Sequence, residues 1–295
     1  MNLAVPPLTA HTVVPPWGVL QAPPQWQTLD FISDLHLQAS EPATFRAWQN
    51  FMQTTRADAV FILGDLFEVW VGDDVLDSDT ASPAPTLGFE AECAQVLMAA
   101  SRRLAVYFLH GNRDFLLGPS FAQTCGMNLL DDPTVLDFAG QRWLLSHGDA
   151  LCLNDTDYLK FRAQVRSEAW QQAFLAKPLV ERQAIARALR TQSETRKRSG
   201  AIYADVDAQA ACDWLHAAQA SNLIHGHTHQ PADHDLPCGQ TRTNDSVTAP
   251  LRRLVLSDWD AMAVPARGEV LRLDKTRVDQ MMGITPQRLL PLLVS

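Results

Sequence analysis

Short apolar runs recur along the chain, and several end abruptly in polar residues able to do chemistry. TLDFIS (28–33) leads into DLH, AVFIL (59–63) into GD, AVYFL (105–109) into HGN, WLL (143–145) into SHGD, and NLI (222–224) into HGHTH. Runs of this length, bounded by Gly and polar residues, predict buried strands. Between the first two, EPATFRAWQNFMQTTR carries Phe45, Trp48 and Met52 at i, i+3 and i+7. With Ser40 as a cap and Pro42 near the first turn, it predicts an amphipathic helix. FEAECAQVLMAASRR (89–103) predicts a second helix. Strands alternating with helices imply an α/β core with its functional residues gathered where strands end.

Residues 157–220 break the alternation. They are helical in pattern, with Leu175, Leu179, Ile185 and Leu189 spaced to form apolar faces, and they fall between the fourth and fifth strand-end motifs. This predicts a helical cap inserted into a core whose two parts span 27–156 and 221–275, so that cap and core share one site. RRLVLSDW (252–259) and EVLRLD (269–274) read as closing strands, and 276–295 as a C-terminal tail. Prolines at 6, 7, 15, 16, 23 and 24 make residues 1–26 a flexible extension rather than a signal helix. The loop 74–88 is polar and Pro-rich, an expected exposed excursion.

Charge and cysteines refine this picture. The net charge of −9 hides a basic block: Lys160 to Arg198 holds ten Lys/Arg against three Glu, +7, leaving −16 for the rest. A local basic face on an acidic chain suits an anionic partner and argues against general nucleic-acid binding. Nothing in the pattern calls for an obligate protein partner. Five cysteines without CxxC spacing fit buried thiols in a reducing compartment better than a disulfide framework. No apolar run approaches the roughly 20 residues that span a bilayer.

In chain order the polar strand-end residues are Asp34, His36, Asp65, Asn112, His147, His227 and His229. DLH and HTH each place two candidate ligands at i and i+2, which in extended chain puts both side chains on one side. GD, GN and HGD each set one beside a glycine, where the chain can turn tightly. Two Asp, one Asn and four His mix carboxylate, amide oxygen and imidazole, a set suited to Mn²⁺, Fe²⁺ or Zn²⁺. Seven ligands exceed one tetrahedral ion but suit two ions sharing a carboxylate, a pair able to support in-line attack on phosphorus.

The order D-x-H, GD, GN, HGD, GHxH across residues 28–231 resembles the calcineurin-like metallophosphoesterases, whose layered core of β-sheets flanked by helices is then the expected fold. Within them, FISDLHL, GDLFEVWVGDD, HGNRDF, HGDALCLND and IHGHTHQP look like the UDP-2,3-diacylglucosamine diphosphatase family of lipid A biosynthesis. The resemblance implies a Mn²⁺ pair. Asp34, His36, Asp65 and His229 would hold the first ion; Asp65, Asn112, His147 and His227 the second, with Asp65 bridging. It implies hydrolysis of UDP-2,3-diacylglucosamine to UMP and 2,3-diacylglucosamine 1-phosphate. It also places Asp155, Ser193, Lys197 or Arg198, and Asn112, Arg113 and His227 on the substrate. Gln230 stands where the family usually carries a basic residue.

HGNRDF has Arg113 where many such sites have a proton-donating His. Arg stays protonated near neutral pH. A leaving phosphate monoester, with a second pKa near 6, departs as an anion without an acid, whereas an alkoxide benefits from one. Arg113 in place of His therefore points to a diphosphate, with its guanidinium clamping phosphate oxygens; a salt bridge to Asp114 or another acid is its plainer role. Asp155 serves equally as an N-cap for TDYLKFR. Asp114 and Asp149 read as partners orienting ligand His; Glu68, Trp70, Asp73 and Asp74 fit loop packing as well as function. An apolar cap with a cationic rim can rest on anionic lipid, so the expected location is the cytoplasm, peripheral on the cytoplasmic face of the inner membrane. A soluble nucleotide diphosphate or nucleotide sugar is the rival substrate class, and a metal-free scaffold would not keep all seven ligands.

Overall fold

The computed structural model describes residues 14–76, 88–198, 204–239, 250–279 and 283–290, with side chains from 191 to 198 left out. The expected loop excursion lies largely outside them.

Two six-stranded sheets face each other. The first contains β2 (Thr28–Ile32), β3 (Ala59–Leu63), β4 (Ala105–Leu109), β5 (Met127–Leu130), β11 (Val270–Asp274) and β14 (Gln287–Leu289), in the order β14-β11-β2-β3-β4-β5. Strands β2 to β5 are parallel, and β11 and β14 extend the sheet antiparallel. The second contains β1 (Gly18–Gln21), β6 (Thr134–Phe138), β7 (Gln141–Ser146), β8 (Asn222–His225), β9 (Ala232–Asp235) and β10 (Arg252–Val255), in the order β1-β6-β7-β8-β10-β9. Strands β12 (Val278–Asp279) and β13 (Gly283–Ile284) form a small hairpin.

Alternation within the strands assigns the layers. Leu29, Phe31, Phe61 and Leu63 point between the sheets and meet Trp143, Leu145, Ile224 and Leu254. The parallel register aligns Phe31, Phe61 and Tyr107 in one row, with successive rings stacked at 4.8 and 4.9 Å. Ile32, Val60 and Ile62 point outward, under helices α1 (Pro42–Thr54), α2 (Phe89–Ser101) and α3 (Pro119–Cys125). On the far side Val135, Leu144 and Leu223 are covered by α7 (Ala208–Ala218). Strands buried on both faces need apolar residues at nearly every position, which is why β3 is a continuous run; β2 is interrupted by Asp30, which is buried and paired with Arg272.

Several expectations need correction. Ser40 does not cap α1; Glu41 holds that position without a side-chain bond, and Pro42 alone supplies the start signal. Residues 18–21, within the expected flexible extension, pair with β6 as an edge strand, and residues 287–289, within the expected tail, pair with β11. The stretch 157–220 divides. α4 (Thr156–Val165), α5 (Glu168–Leu175) and α6 (Leu179–Arg198) stand apart from the second sheet, with Phe174 buried in the α1–α3 cluster and Trp170, Leu179 and Ile185 packed against it. α7 is part of the core, because Ala210, Ala211, Cys212 and Leu215 make its face the cover of the second sheet. Cys93, Cys125 and Cys152 are buried thiols as expected, but Cys212 and Cys238 form a disulfide. No helix among the described residues is long and apolar enough to cross a membrane.

Candidate active site

The C-terminal ends of β2, β3, β4, β7 and β8 converge at one edge of the facing sheets. Asp34, His36, Asp65, His227 and His229 all have positive φ, between 48° and 67°. This left-handed conformation is uncommon outside glycine, although Asp and His tolerate it better than most. Backbone hydrogen bonds hold the loops in it: Asp34 N–H donates to the Gly64 carbonyl at 3.1 Å and His36 N–H to the Asp65 carbonyl at 3.0 Å. The extended-chain account of D-x-H is therefore corrected. Asp34 and His36 do share a cluster, but through successive left-handed turns that send Leu35 into the core. In H-T-H the two rings separate, His229 towards Asp34 and His227 towards Asn112.

Two overlapping groups result. Candidate ligand atoms of Asp34, His36 and His229 lie within 4.8 Å of one another, as do those of Asp34, Asp65 and His147. His36 Nε2 is 3.3 Å from His229 Nε2, and His229 Nε2 is 3.2 Å from Asp34 Oδ1. Asp65 faces both ways, with Oδ2 3.9 Å from His36 and Oδ1 3.7 Å from His147. Asn112 Oδ1 completes the second side, 3.0 Å from His147 Nε2 and 2.9 Å from His227 Nδ1. All seven sequence candidates thus come together. Ring orientation is also set: His147 Nδ1–H donates to the Leu63 carbonyl at 2.9 Å, which presents Nε2 to the site.

Gly111 and Gly226 are needed for this closeness. A Cβ at Gly111 would overlap the carboxylate and backbone nitrogen of Asp65, and one at Gly226 would overlap Ser33 Oγ and the Asp34 carboxylate.

The electrostatics suit a cation. Burial pushes Asp34 up, but His229 and the neighbouring rings outweigh it and hold the carboxyl below the usual range. Burial likewise opposes charge on His147, yet Asp65, Asp34 and Asp149 push that ring up to about 9. Burial and then His147 lower His227 to about 4. Two buried carboxylates, an amide oxygen and four imidazoles make a mixed oxygen and nitrogen donor set, and the negative field of Asp34 and Asp65 around His147 is one a divalent cation would satisfy.

The surrounding residues follow expectation only in part. Asp114 is fully buried and touches no ligand ring; it accepts from the backbone N–H of Gly111 at 2.9 Å and of Leu66 at 2.7 Å, tying the GD and GN loops together. Asp149 accepts from Tyr158 and from Arg162 Nε at 2.8 Å, which fastens α4 beside the site, and Tyr158 stacks on His227 at 5.9 Å. Arg113 Nη1 is 3.4 Å from Glu68, not Asp114, while its backbone N–H donates to Asp65 Oδ1 at 2.9 Å. Asp155 caps α4, accepting from Tyr158 N–H at 3.1 Å. Ser193, Lys197 and Arg198 lie on α6 where side chains are outside the described residues. Glu68 and Asp258 are further acidic neighbours, 3.1 Å from His36 Nδ1 and 3.8 Å from His229 Nδ1. Asp258 had no signal beyond its place after a strand.

Residues 28–231 match the calcineurin-like phosphoesterase family. A UDP-2,3-diacylglucosamine hydrolase from Chromobacterium violaceum is 44% identical over 255 residues, 83% of this chain and 94% of its own length. One from Aromatoleum aromaticum is 46% identical over 232 residues, 78% and 88%; one from Pseudomonas aeruginosa is 39% identical over 245 residues, 81% and 95%. Membership implies a hydrolase with a divalent dimetal site, for which the two overlapping groups supply candidate ligands. The chain belongs to the calcineurin-like phosphoesterases, in the branch of the UDP-2,3-diacylglucosamine hydrolases.

Proposed function

We propose that this chain hydrolyses the diphosphate of UDP-2,3-diacylglucosamine by water attack at the α-phosphorus, giving UMP and 2,3-diacylglucosamine 1-phosphate, the lipid A precursor. The observation that carries this is the pair of overlapping ligand groups with Asp65 facing both, beside an arginine rather than a histidine after Asn112. Asp34, His36, Asp65 and His229 would hold one Mn²⁺, and Asp65, Asn112, His147 and His227 the other. When bound, such a pair activates water and offsets charge on phosphoryl oxygens.

The chain's own residues supply the rest. Arg113 cannot donate a proton at neutral pH, so its contribution is fixed positive charge against the diphosphate oxygens. The leaving group needs no acid, because its second pKa near 6 lets it depart as an anion. His227, stacked on Tyr158 and beside the Asn112 amide, contacts the substrate as well as the metal in this reading. Asp155 can accept from a sugar hydroxyl or a base N–H while it caps α4. Ser193 and Lys197 or Arg198 are the proposed polar contacts of α6.

Helices α4 to α6 act as the cap and, with their excess of cations, rest on the anionic cytoplasmic face of the inner membrane. Phe161 and Leu175, each about two-fifths exposed, together with the more exposed Val180, support contact with acyl chains or lipid.

The test is mass spectrometry of products from UDP-2,3-diacylglucosamine incubated with the protein and Mn²⁺ in ¹⁸O-water. Label in UMP with unlabelled sugar phosphate is the expected result. Label in the sugar phosphate overturns attack at the α-phosphorus, and cleavage of soluble UDP-sugars alone overturns the lipid substrate.

A further inference from the structure

Glu68 belongs to the loop that follows Asp65, and its carboxylate is only 12% exposed. Oxygen Oε2 lies 3.1 Å from His36 Nδ1. Oxygen Oε1 lies 3.4 Å from Arg113 Nη1 and 3.2 Å from Arg190 Nε, and Arg190 comes from α6, about 120 residues beyond Glu68. The backbone supports the same junction: Glu68 N–H donates to the Leu37 carbonyl at 3.2 Å, and Trp70 N–H to the Arg113 carbonyl at 3.1 Å. Arg190 also donates through Nη1 to Gln38 Oε1 at 3.1 Å. One carboxylate therefore meets a candidate metal ligand, the candidate phosphate clamp and the cap helix.

Each contact has a physical consequence. A carboxylate on the outer nitrogen of a ligand imidazole fixes the ring and raises the basicity of the inner nitrogen. Here the inner nitrogen, Nε2, faces Asp65 and His229. Two guanidinium groups meeting at one oxygen repel each other unless that oxygen is charged. A carboxylate is ordinarily ionised at neutral pH, and both guanidinium groups lie within 3.4 Å of this one. Arg182, eight residues before Arg190, anchors the start of α6 to the Val71 carbonyl and Asp74, which leaves the Arg190 contact as a second tether towards the site.

We propose that Glu68 is a positioning residue that couples the cap to the metal centre, one oxygen orienting His36 and the other holding Arg113 and Arg190 in register with it. The role of Arg113 rests on the function proposed above; the couplings to His36 and α6 do not.

The test is calorimetric titration of the metal-free full-length protein with Mn²⁺, alongside hydrogen exchange of the backbone amides of α6. Glu68→Ala should weaken Mn²⁺ binding roughly 10- to 100-fold, the usual effect of removing a partner of a ligand imidazole, and speed exchange in α6. Glu68→Gln, which keeps an acceptor for His36 but no charge, should bind Mn²⁺ better than Glu68→Ala yet lose the α6 protection as fully. Arg190→Met should speed α6 exchange and leave Mn²⁺ affinity unchanged. Unchanged Mn²⁺ affinity in Glu68→Ala, or unchanged α6 exchange in both Glu68→Ala and Arg190→Met, overturns the proposal. If Glu68→Ala does not fold, wild-type behaviour of Glu68→Gln in both measurements overturns it. These shifts in a protein that cannot cleave UDP-2,3-diacylglucosamine would remove the substrate while leaving the coupling.

Discussion

Gly111→Ala is a small change with a large expected effect on the site. No unusual backbone dihedral is required of Gly111, so alanine meets no torsional penalty there; the conflict is steric. Its Cβ would stand 2.8 Å from Asp65 Cγ and closer still to that residue's carboxylate oxygen and backbone nitrogen. Ordinary carbon contacts begin near 3.5–4.0 Å, so either the Asp65 carboxylate or the GN loop must move by roughly an ångström. Overpacking of this kind costs about 1–3 kcal/mol of stability, and a misplacement of about 1 Å costs on the order of 100-fold in rate. The loops cannot separate freely, because Asp114 binds the backbone N–H of both Gly111 and Leu66. Turnover of UDP-2,3-diacylglucosamine, metal content by mass spectrometry and thermal melting together give the readout. The expected outcome is a rate loss on the order of 100-fold with reduced metal content and a melting point lower by only several degrees. A Gly111→Ala protein with wild-type rate and two metals per chain would refute the reasoning that Asp65 and Gly111 are held in contact for function.

Three other outcomes are expected. Asp65→Ala removes the carboxylate that faces both ligand groups and should abolish turnover while the circular dichroism spectrum stays native; substantial residual activity argues against a bridging role. Arg113→His should lower diphosphate hydrolysis on the order of 100-fold, as loss of a charge-stabilising donor does; an unchanged rate refutes the account of this arginine. Asp205 is held below its ordinary pKa chiefly by the hydrogen bond from Arg253. A depressed carboxyl stabilises above its unfolded pKa and stops doing so as pH falls through the folded one. Asp205→Asn should therefore melt lower than wild type at pH 7, with the gap closing below pH 3.8, as paired melts would reveal.

Much of the site was legible along the chain because each ligand lies directly after a buried strand. AVFIL and AVYFL are continuous apolar runs, and Asp65 and Asn112 follow within three residues of where they stop. Local periodicity and turn chemistry are short-range properties, so they fixed the five central strands, the first two helices and the identity of the seven converging side chains. They did not reveal β9 (ADHD) or the edge strand β1, whose residues carry little apolar signal and are ordered by pairing with strands already in place. Nor did they show that α7 covers the second sheet while α4 to α6 stand apart, since an amphipathic face does not name what it will meet.

Tertiary structure decided how the ligands are held. The left-handed turns at Asp34, His36, Asp65, His227 and His229 are stabilised by hydrogen bonds between neighbouring strand-end loops, which the local sequence does not encode. The division of H-T-H between two ligand groups and the meeting of His36, Arg113 and Arg190 at Glu68 depend on contacts between residues separated by dozens to nearly two hundred positions. A sequence lists the donors and acceptors; which of them share a buried charge is set only when sheet register and loop packing bring distant segments within a few ångströms.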